Sequence, residues 1–336
     1  MQLLTRQKYN KVMAQLAELN GVETVTQQFN VTPSVQQKLK EKLQESSKFL
    51  SLINVYIVRE QSAEAIGMGI SRPIASRTNT NNNDRQTKDP TGMDNRFYFC
   101  RKTDFDTAIK YQKLDQWAKF TNFYAMFRGL ILKRQALDRI MIGFNGTSIA
   151  ADTDIVANPK LQDVNKGWLQ KMREENPSRV MKSGATQNKI TVGKTGDYKN
   201  LDALVMNIVD EMIDEVHQEN PDLVVMCNRK TISDKYFPLV NKDQENTEKL
   251  AADIIISQKR MGNLPVYSVP YFPEGIILVT TFDNLSLYMQ EGAMRRTVID
   301  NPKRDQIENY ESSNEDYYIE DLGLACMAEN IEIQAE

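Results

Sequence analysis

With a single histidine among 336 residues, the chain has little means for acid–base catalysis near neutrality. That residue, His217, falls at the end of an amphipathic stretch beside Glu215 and Glu219. A solvated or cap-proximal imidazole is the ordinary reading there, and a general base the other. Cysteines are scarce too. Cys100, Cys227 and Cys326 are odd in number and far apart, which excludes a disulfide framework or a zinc pattern and suits a reducing compartment. Cys227 lies in an apolar run with no cation beside it, so an inert buried thiol is expected. No stretch approaches the roughly 18 consecutive apolar residues of a membrane span. Residues 1–6 open no secretory signal, because polar side chains interrupt every apolar run. A soluble, intracellular chain with no membrane partner is expected. An excess of positive charge is missing as well: 42 Lys and Arg stand against 45 Asp and Glu, a net −3, so nothing global argues for nucleic-acid binding.

The strings that suggest chemistry are incomplete. Gly193-Lys194-Thr195 resembles the end of a phosphate loop, but the first glycine of that motif is replaced by Asn188. Without it the backbone cannot wrap a phosphate with its N–H groups. Asp152 and Asp154 are read as turn formers more readily than as cation ligands. Sequons at Asn30, Asn145 and Asn284 carry no meaning without secretion. The aromatic and basic stretch from Arg96 to Lys113 could stack on a nucleic-acid strand. Asp104 and Asp106 interrupt its charge, however, and alternating aromatics are ordinary strand composition. No catalytic set, no metal site and no cofactor are expected.

Charge is unevenly spread. Residues 72–113 hold nine Lys and Arg against five acids, and residues 301–336 hold two against ten. A basic middle and an acidic end could attract each other between copies, or could simply be solvated faces.

Hydrophobic periodicity gives a mixed picture. Residues 3–20 read as an amphipathic helix through Tyr9, Val12, Leu16 and Leu19, stopped at Asn20-Gly21. A polar tether follows, and a second helix begins near Thr32-Pro33-Ser34, with Ser34 and Gln37 spaced as a capping box. The first helix has no evident core to join and looks detachable. Ile53 to Ile57 alternates like a strand, and the runs 66–70 and 96–101 flank a polar tract, 76–95, that reads as a mobile loop or a long hairpin arm. Leu114, Trp117, Phe120, Tyr124, Phe127 and Ile131 form one stripe, continued by Leu137 and Met141 and read as a core-facing spine helix from 114 to 144. Helices are expected over 161–175 and 201–216 and near 234–240. Strands are expected over 223–227, 266–269, 276–280 and 285–288, with weak alternation beyond residue 310. Helices and strands segregated into blocks indicate an α+β protein.

Several strings together resemble the major capsid proteins of peduovirus-type temperate contractile-tailed phages. They run from Gln44-Glu45-Ser46-Ser47 through Ile142-Gly143-Phe144-Asn145-Gly146, Gly167-Trp168-Leu169-Gln170-Lys171 and Asp234-Lys235-Tyr236-Phe237-Pro238. The run from Leu250 to Pro273 and Glu308-Asn309-Tyr310-Glu311-Ser312 complete the set, in order along the whole chain. The resemblance implies an HK97-like fold: an N-terminal arm with a removable first helix over 1–50, a strand and extended hairpin over 51–113, and a peripheral domain with the spine helix over 114–200. An axial domain over 201–290 and a C-terminal return to the peripheral domain over 291–336 would follow. It also implies hexamers and pentamers on an icosahedral lattice around double-stranded DNA that is contacted only non-specifically. A scaffolding protein, a maturation protease and a portal protein at one vertex would be partners. The implied cut lies in Asn30, Val31, Thr32, Pro33 and Ser34. Arg85 and Lys88 in the hairpin are the candidate contacts with a neighbouring copy. Some relatives cross-link a lysine to an asparagine, but a solvated Lys88 is the reading preferred here. A tail or decoration subunit, or a nucleic-acid-binding module using the basic stretch, are the alternatives.

Overall fold

The computed structural model describes all residues except 66–68, 71–74, 81–83, 86, 88–90, 93–95, 121–122, 241–258 and 335–336, with backbone alone at 65, 69–70, 91–92, 123–127 and 237–240. Lys88, Ile66 to Met68 and residues 250–258 of the family-like run therefore lie outside the described residues. Helices and strands mix as an α+β architecture.

Two larger sheets organise the chain. In the seven-stranded sheet, Phe29–Asn30, Arg295–Asn301, Gln306–Ile319, Leu285–Gln290 and Asn54–Val58 are neighbours in that order, and Arg101–Asp104 and Thr107–Lys110 also pair with Gln306–Ile319. In the six-stranded sheet the order is Arg260–Met261, Leu264–Ser268, Val224–Cys227, Ile277–Thr280, Cys326–Ala328 and Val180–Met181. Val224–Cys227 and Ile277–Thr280 are buried along their whole length, as continuous apolar runs must be when both faces of a sheet are covered. The helix Leu201–Met212 covers one face with Leu204, Val205 and Ile208. The sheets do not divide at residue 290. Leu285 to Met289 pair antiparallel with Glu315 to Ile319, whereas Cys326–Ala328, inside the expected return, belongs to the six-stranded sheet.

The hairpin expectation survives in its described parts. Ser62–Ala65 pairs antiparallel with Arg96–Phe99, and Gly69–Ile70 with Thr91–Gly92.

Four expectations need correction. The spine is not one helix from 114: Tyr111–Trp117 ends in a turn and Phe123–Asn145 starts anew. The end of Tyr111–Trp117 is capped from outside, because Lys8 Nζ donates to Ala118 O at 2.6 Å, satisfying a carbonyl that a continuing helix would use. Trp117 and Phe120 are exposed by 38% and 60%, and the side chains of Tyr124 and Phe127 lie outside the described residues. Leu114 and Met141 of the expected stripe are buried, and the rest of the buried face falls at Ala136, Ile140 and Phe144. The helix expected over 161–175 is confined to Trp168–Glu175. Leu161 has φ 58°, and Gln162 and Asp163 tie back to Thr147, Ala150 and Asp154. The helix expected over 201–216 stops at Met212, where Arg179 takes the Met212 carbonyl and Asp214 N–H donates to Gly323 O at 3.1 Å. The second helix is Pro33–Ser46, with Thr32 before it and no side-chain cap, so the Ser34–Gln37 box does not form.

Candidate functional site

The long strand Gln306–Ile319 is the member on which the functional parts converge. Its sequence is polar, yet Gln306, Glu308, Asn309, Glu311, Ser312, Ser313, Glu315 and Asp316 are all buried. Buried charge is tolerated only when paired and hydrogen-bonded. Arg139 from the spine helix supplies the first pair: its Nε lies 3.0 Å from both Glu315 oxygens and its Nη2 2.6 Å from Oε1. The guanidinium also sits over the Phe105 ring, 4.1 Å from its centroid. Lys171 supplies the second pair, 2.9 Å from both Asp316 oxygens. Asp316 Oδ2 accepts from Phe99 N–H at 2.9 Å, so the same carboxylate holds the hairpin root. Arg96, opposite Ala65 in the hairpin, donates to Ile319 O at 2.8 Å and Glu320 O at 2.7 Å and lies over the Tyr318 ring. The carboxylates of Glu315 and Asp316 in the acidic end are thus paired within one copy, by cations from outside residues 72–113.

Beneath this seam the spine helix meets Trp168–Glu175 at close range. Trp168 is fully buried, donates its indole N–H to Ser286 O at 3.0 Å, and sets its ring tilted 5.0 Å from Phe144 and edge-to-face 5.1 Å from Tyr317. The approach requires glycine twice. A Cβ on Gly143 would fall 2.2 Å from Trp168 Cζ3, and one on Gly167 2.3 Å from Gly143 O. The strings Ile142 to Gly146 and Gly167-Trp168 are the two sides of this contact.

The N-terminal helix Leu3–Asn20 is formed as the periodicity suggests. Gly21 ends it in the left-handed region at φ 65°, a conformation glycine adopts without penalty. It does have a core to join, contrary to the expectation that it has none. Leu16, Val25, Phe29, Val31 and Leu39 pack with Tyr111, Leu114, Met294, Val298 and Ile307. Arg6 and the Tyr111 hydroxyl both bind Asp300, and Gln2 N–H reaches Asp115 Oδ1 at 2.9 Å. A cavity of about 560 Å³ remains between this helix, the spine helix and the sheet. Burial alone would raise the Asp300 carboxyl, but the hydrogen bonds from Tyr111 and Arg6 and the charge of Arg6 outweigh it and hold it below the usual range. A depressed carboxylate stabilises the docked helix above its unfolded value of about 3.9, and that contribution fades as pH falls through the lower folded value. Amide protection over residues 3–20, measured against the intrinsic exchange rate at each pH, should therefore fall below about pH 4 before the six-stranded sheet opens. Uniform protection of both regions through that range would contradict this.

The expected cut region is no open tether. Phe29 and Asn30 pair with Arg296 and Arg295. Val31 is buried and donates its N–H to Met294 O at 2.8 Å. Pro33 and Ser34 are exposed. Arg85 is exposed as expected, and Lys88 lies outside the described residues.

The chemical strings resolve into structure. His217 Nε2 lies 3.0 Å from Asp321 Oδ2, whose other oxygen accepts from Gly323 N–H, an arrangement that joins two segments and offers no nucleophile. Asp154 Oδ1 accepts from Val156 and Ala157 N–H, as a turn former does. At Gly193-Lys194-Thr195 the Gly193 N–H donates to Tyr198 O and Gly196 N–H to Gly193 O, so this backbone is turned on itself. Among the described residues no group of three or more His, Cys, Asp or Glu could hold a metal ion, and no helix is long and apolar enough to cross a membrane. All three cysteines are free and buried. Burial pushes the Cys100 thiol up to about 12, with Asp316 and Glu315 adding to it, and burial pushes Cys227 up to about 12. Native protein should therefore resist alkylation at pH 8 until it is unfolded; rapid stoichiometric labelling of folded protein would refute that.

A family model described as phage major capsid protein, P2 family, matches residues 8–331. The chain is 48% identical over 338 residues to the capsid protein of Escherichia phage P2, covering 98% of this chain and 95% of that one. It is 38% identical over 341 residues to the major capsid protein of Serratia phage KSP20, covering 98% and 97%. A solved chain from the satellite phage P4 procapsid including its size determination (Sid) protein is similar with a TM-score of 0.83 and 44% identity, over 99% of both chains. The capsid chain of an empty GTA particle is similar in fold alone, with a TM-score of 0.51 and 14% identity over 85% of this chain and 90% of that one. The fold is that of an HK97-like capsid subunit, and the chain belongs to the P2 family of phage major capsid proteins.

Proposed function

We propose that copies of this chain associate as hexamers and pentamers and close into an icosahedral shell around packaged double-stranded DNA, without carrying out catalysis. The observation that supports this most is the similarity to a procapsid chain over 99% of both lengths. The arrangement of parts fits the task. The spine helix and the seven-stranded sheet would make the peripheral region, the six-stranded sheet the axial one, and the arm and hairpin would reach outward. Each contact need bury only about 1,000 Å² with fair complementarity, because many form at once. A scaffolding protein, a maturation protease that removes the first helix at 30–34, and a portal protein at one vertex would complete the assembly. DNA would be met without sequence preference, and the near-neutral charge keeps its phosphates from binding tightly.

Co-expression with a scaffold followed by velocity sedimentation tests this: fast, narrow particles are expected, and only free subunits at high concentration would overturn it. In the hairpin, Arg85 and Lys88 would contact acidic surface of a neighbouring copy, each exposed pair worth about 0–1 kcal/mol. Reversing both charges should reduce shell yield and leave the melting temperature of the free subunit unchanged. Normal shells from that variant would remove these residues from the interface.

A further inference from the structure

The N-terminal segment is held by contacts of two kinds that meet on one strand. Between residues 25 and 31 it is zipped to the edge Arg295–Asn301: Val298 N–H donates to Val25 O at 2.9 Å, Phe29 and Asn30 pair with Arg296 and Arg295, and Val31 N–H reaches Met294 O. Two positions beyond Val298 on the same strand stands Asp300, which receives Arg6 from the helix and Tyr111 from the body. Downstream the hold has contacts of its own. Gln36 is buried, donates to Gln290 O at 2.9 Å and accepts from Gly292 N–H at 3.0 Å. Leu43 of the same helix belongs to the main core with Phe49 and Leu50, while Val35 and Leu39 pack in the arm's cluster. Residues 30–34 therefore lie between an upstream hold centred on the edge strand and a downstream hold that keeps Gln36 and Leu43 when the arm leaves.

We infer that residues 1–31 open from the sheet edge as one unit governed by the Arg6–Asp300–Tyr111 contact, and that any protease reaches residues 30–34 only through that opening. This rests on the reading that the chain is cut there. A protease needs about an extended strand's worth of free backbone, and Phe29 to Val31 have theirs engaged and two of their side chains buried. When reclosing is fast, cutting tracks the population of the open form. Losing a charge-assisted hydrogen bond at the hub raises that population. After a cut, Gln36 and Leu43 keep the helix Pro33–Ser46 seated, while the edge Arg295–Asn301 loses its partner strand and Val298, Tyr111 and Leu114 lose their cover. An unpaired edge and apolar face are what a neighbouring surface can use.

The test uses full-length free subunit and a broadly specific protease at low dose, with cut sites read by intact mass. Asp300→Asn and Arg6→Gln should each raise the rate of cutting within residues 22–34 by about tenfold or more, with little change in the melting of the body. Arg6→Gln lies on the arm itself, so its result stands even if Asp300→Asn disturbs the body. Amide exchange in the unaltered protein should show residues 3–20 and 25–31 opening with one shared free energy. Unchanged cutting in both variants, or fast independent exchange at 29–31, would overturn the inference. Subunits in mature particles that still begin at Met1 would instead refute the cut itself and leave the gating result intact.

Discussion

Trp168→Ala should yield subunit that is largely unfolded or insoluble, a loss of about 3–5 kcal/mol for a buried aromatic against a total of roughly 5–15 kcal/mol. Trp168 is fully enclosed and is where the spine helix, the strand Leu285–Gln290 and the long strand meet, through Phe144, Ser286 and Tyr317. The same contact can be attacked from its other side. Gly143→Val would drive a branched side chain into the indole, where even a Cβ has 2.2 Å, and should be at least as damaging. Trp168→Phe separates the causes: it keeps most of the apolar area and gives up the hydrogen bond to Ser286 O, so about 1 kcal/mol beyond the volume change is expected. Denaturant unfolding measures all three. A Trp168→Ala subunit with an unaltered midpoint would mean that the packing seen here does not carry the fold.

The second large effect lies in the buried ion pair. Arg139→Met leaves the Glu315 carboxylate enclosed at 1% exposure with the Ser313 hydroxyl as its remaining side-chain donor among the described residues, and removing one partner of such a pair costs about 3–5 kcal/mol. Replacing both, Arg139→Met with Glu315→Leu, should recover much of that loss, because two apolar side chains of similar size impose no desolvation penalty. The double variant is the informative one. If it is no better than the single variant, the pair is not the reason for the cost, and the hydrogen bonds of the surrounding strand are.

The contrast between these two sites explains what could be read in the sequence. Val224–Cys227 and Ile277–Thr280 were legible because their side chains are apolar and need no named partner. Gln306–Ile319 was not, beyond weak alternation. Its residues look like a solvated acidic tail, and what makes it a buried strand is supplied from far away, by Arg139 and Lys171, well over a hundred residues upstream. The spine was legible as a helix and misplaced in its core-facing residues. The aromatic stripe starting at Trp117 has the correct period, but the turn after Trp117, with Lys8 on the carbonyl of Ala118, interrupts it, and the burial passes to Ala136, Ile140 and Phe144. The first helix was legible in extent. Its docking was not, since the hub is a polar triad assembled from residues 6, 111 and 300. The family strings were legible as a pattern before their reason was: Gly143 and Gly167 mark a backbone approach that only the folded chain displays.

The central claim is that this chain closes a shell through its surfaces, and a density map of particles assembled from it with its scaffold tests that most directly. Closed particles are expected whose capsomers have five-fold and six-fold symmetry, each subunit keeping this fold with its hairpin lying on a neighbouring copy. Open sheets, tubes of a different subunit fold, or a layer of this protein bound to the outside of a shell made by another chain would contradict it.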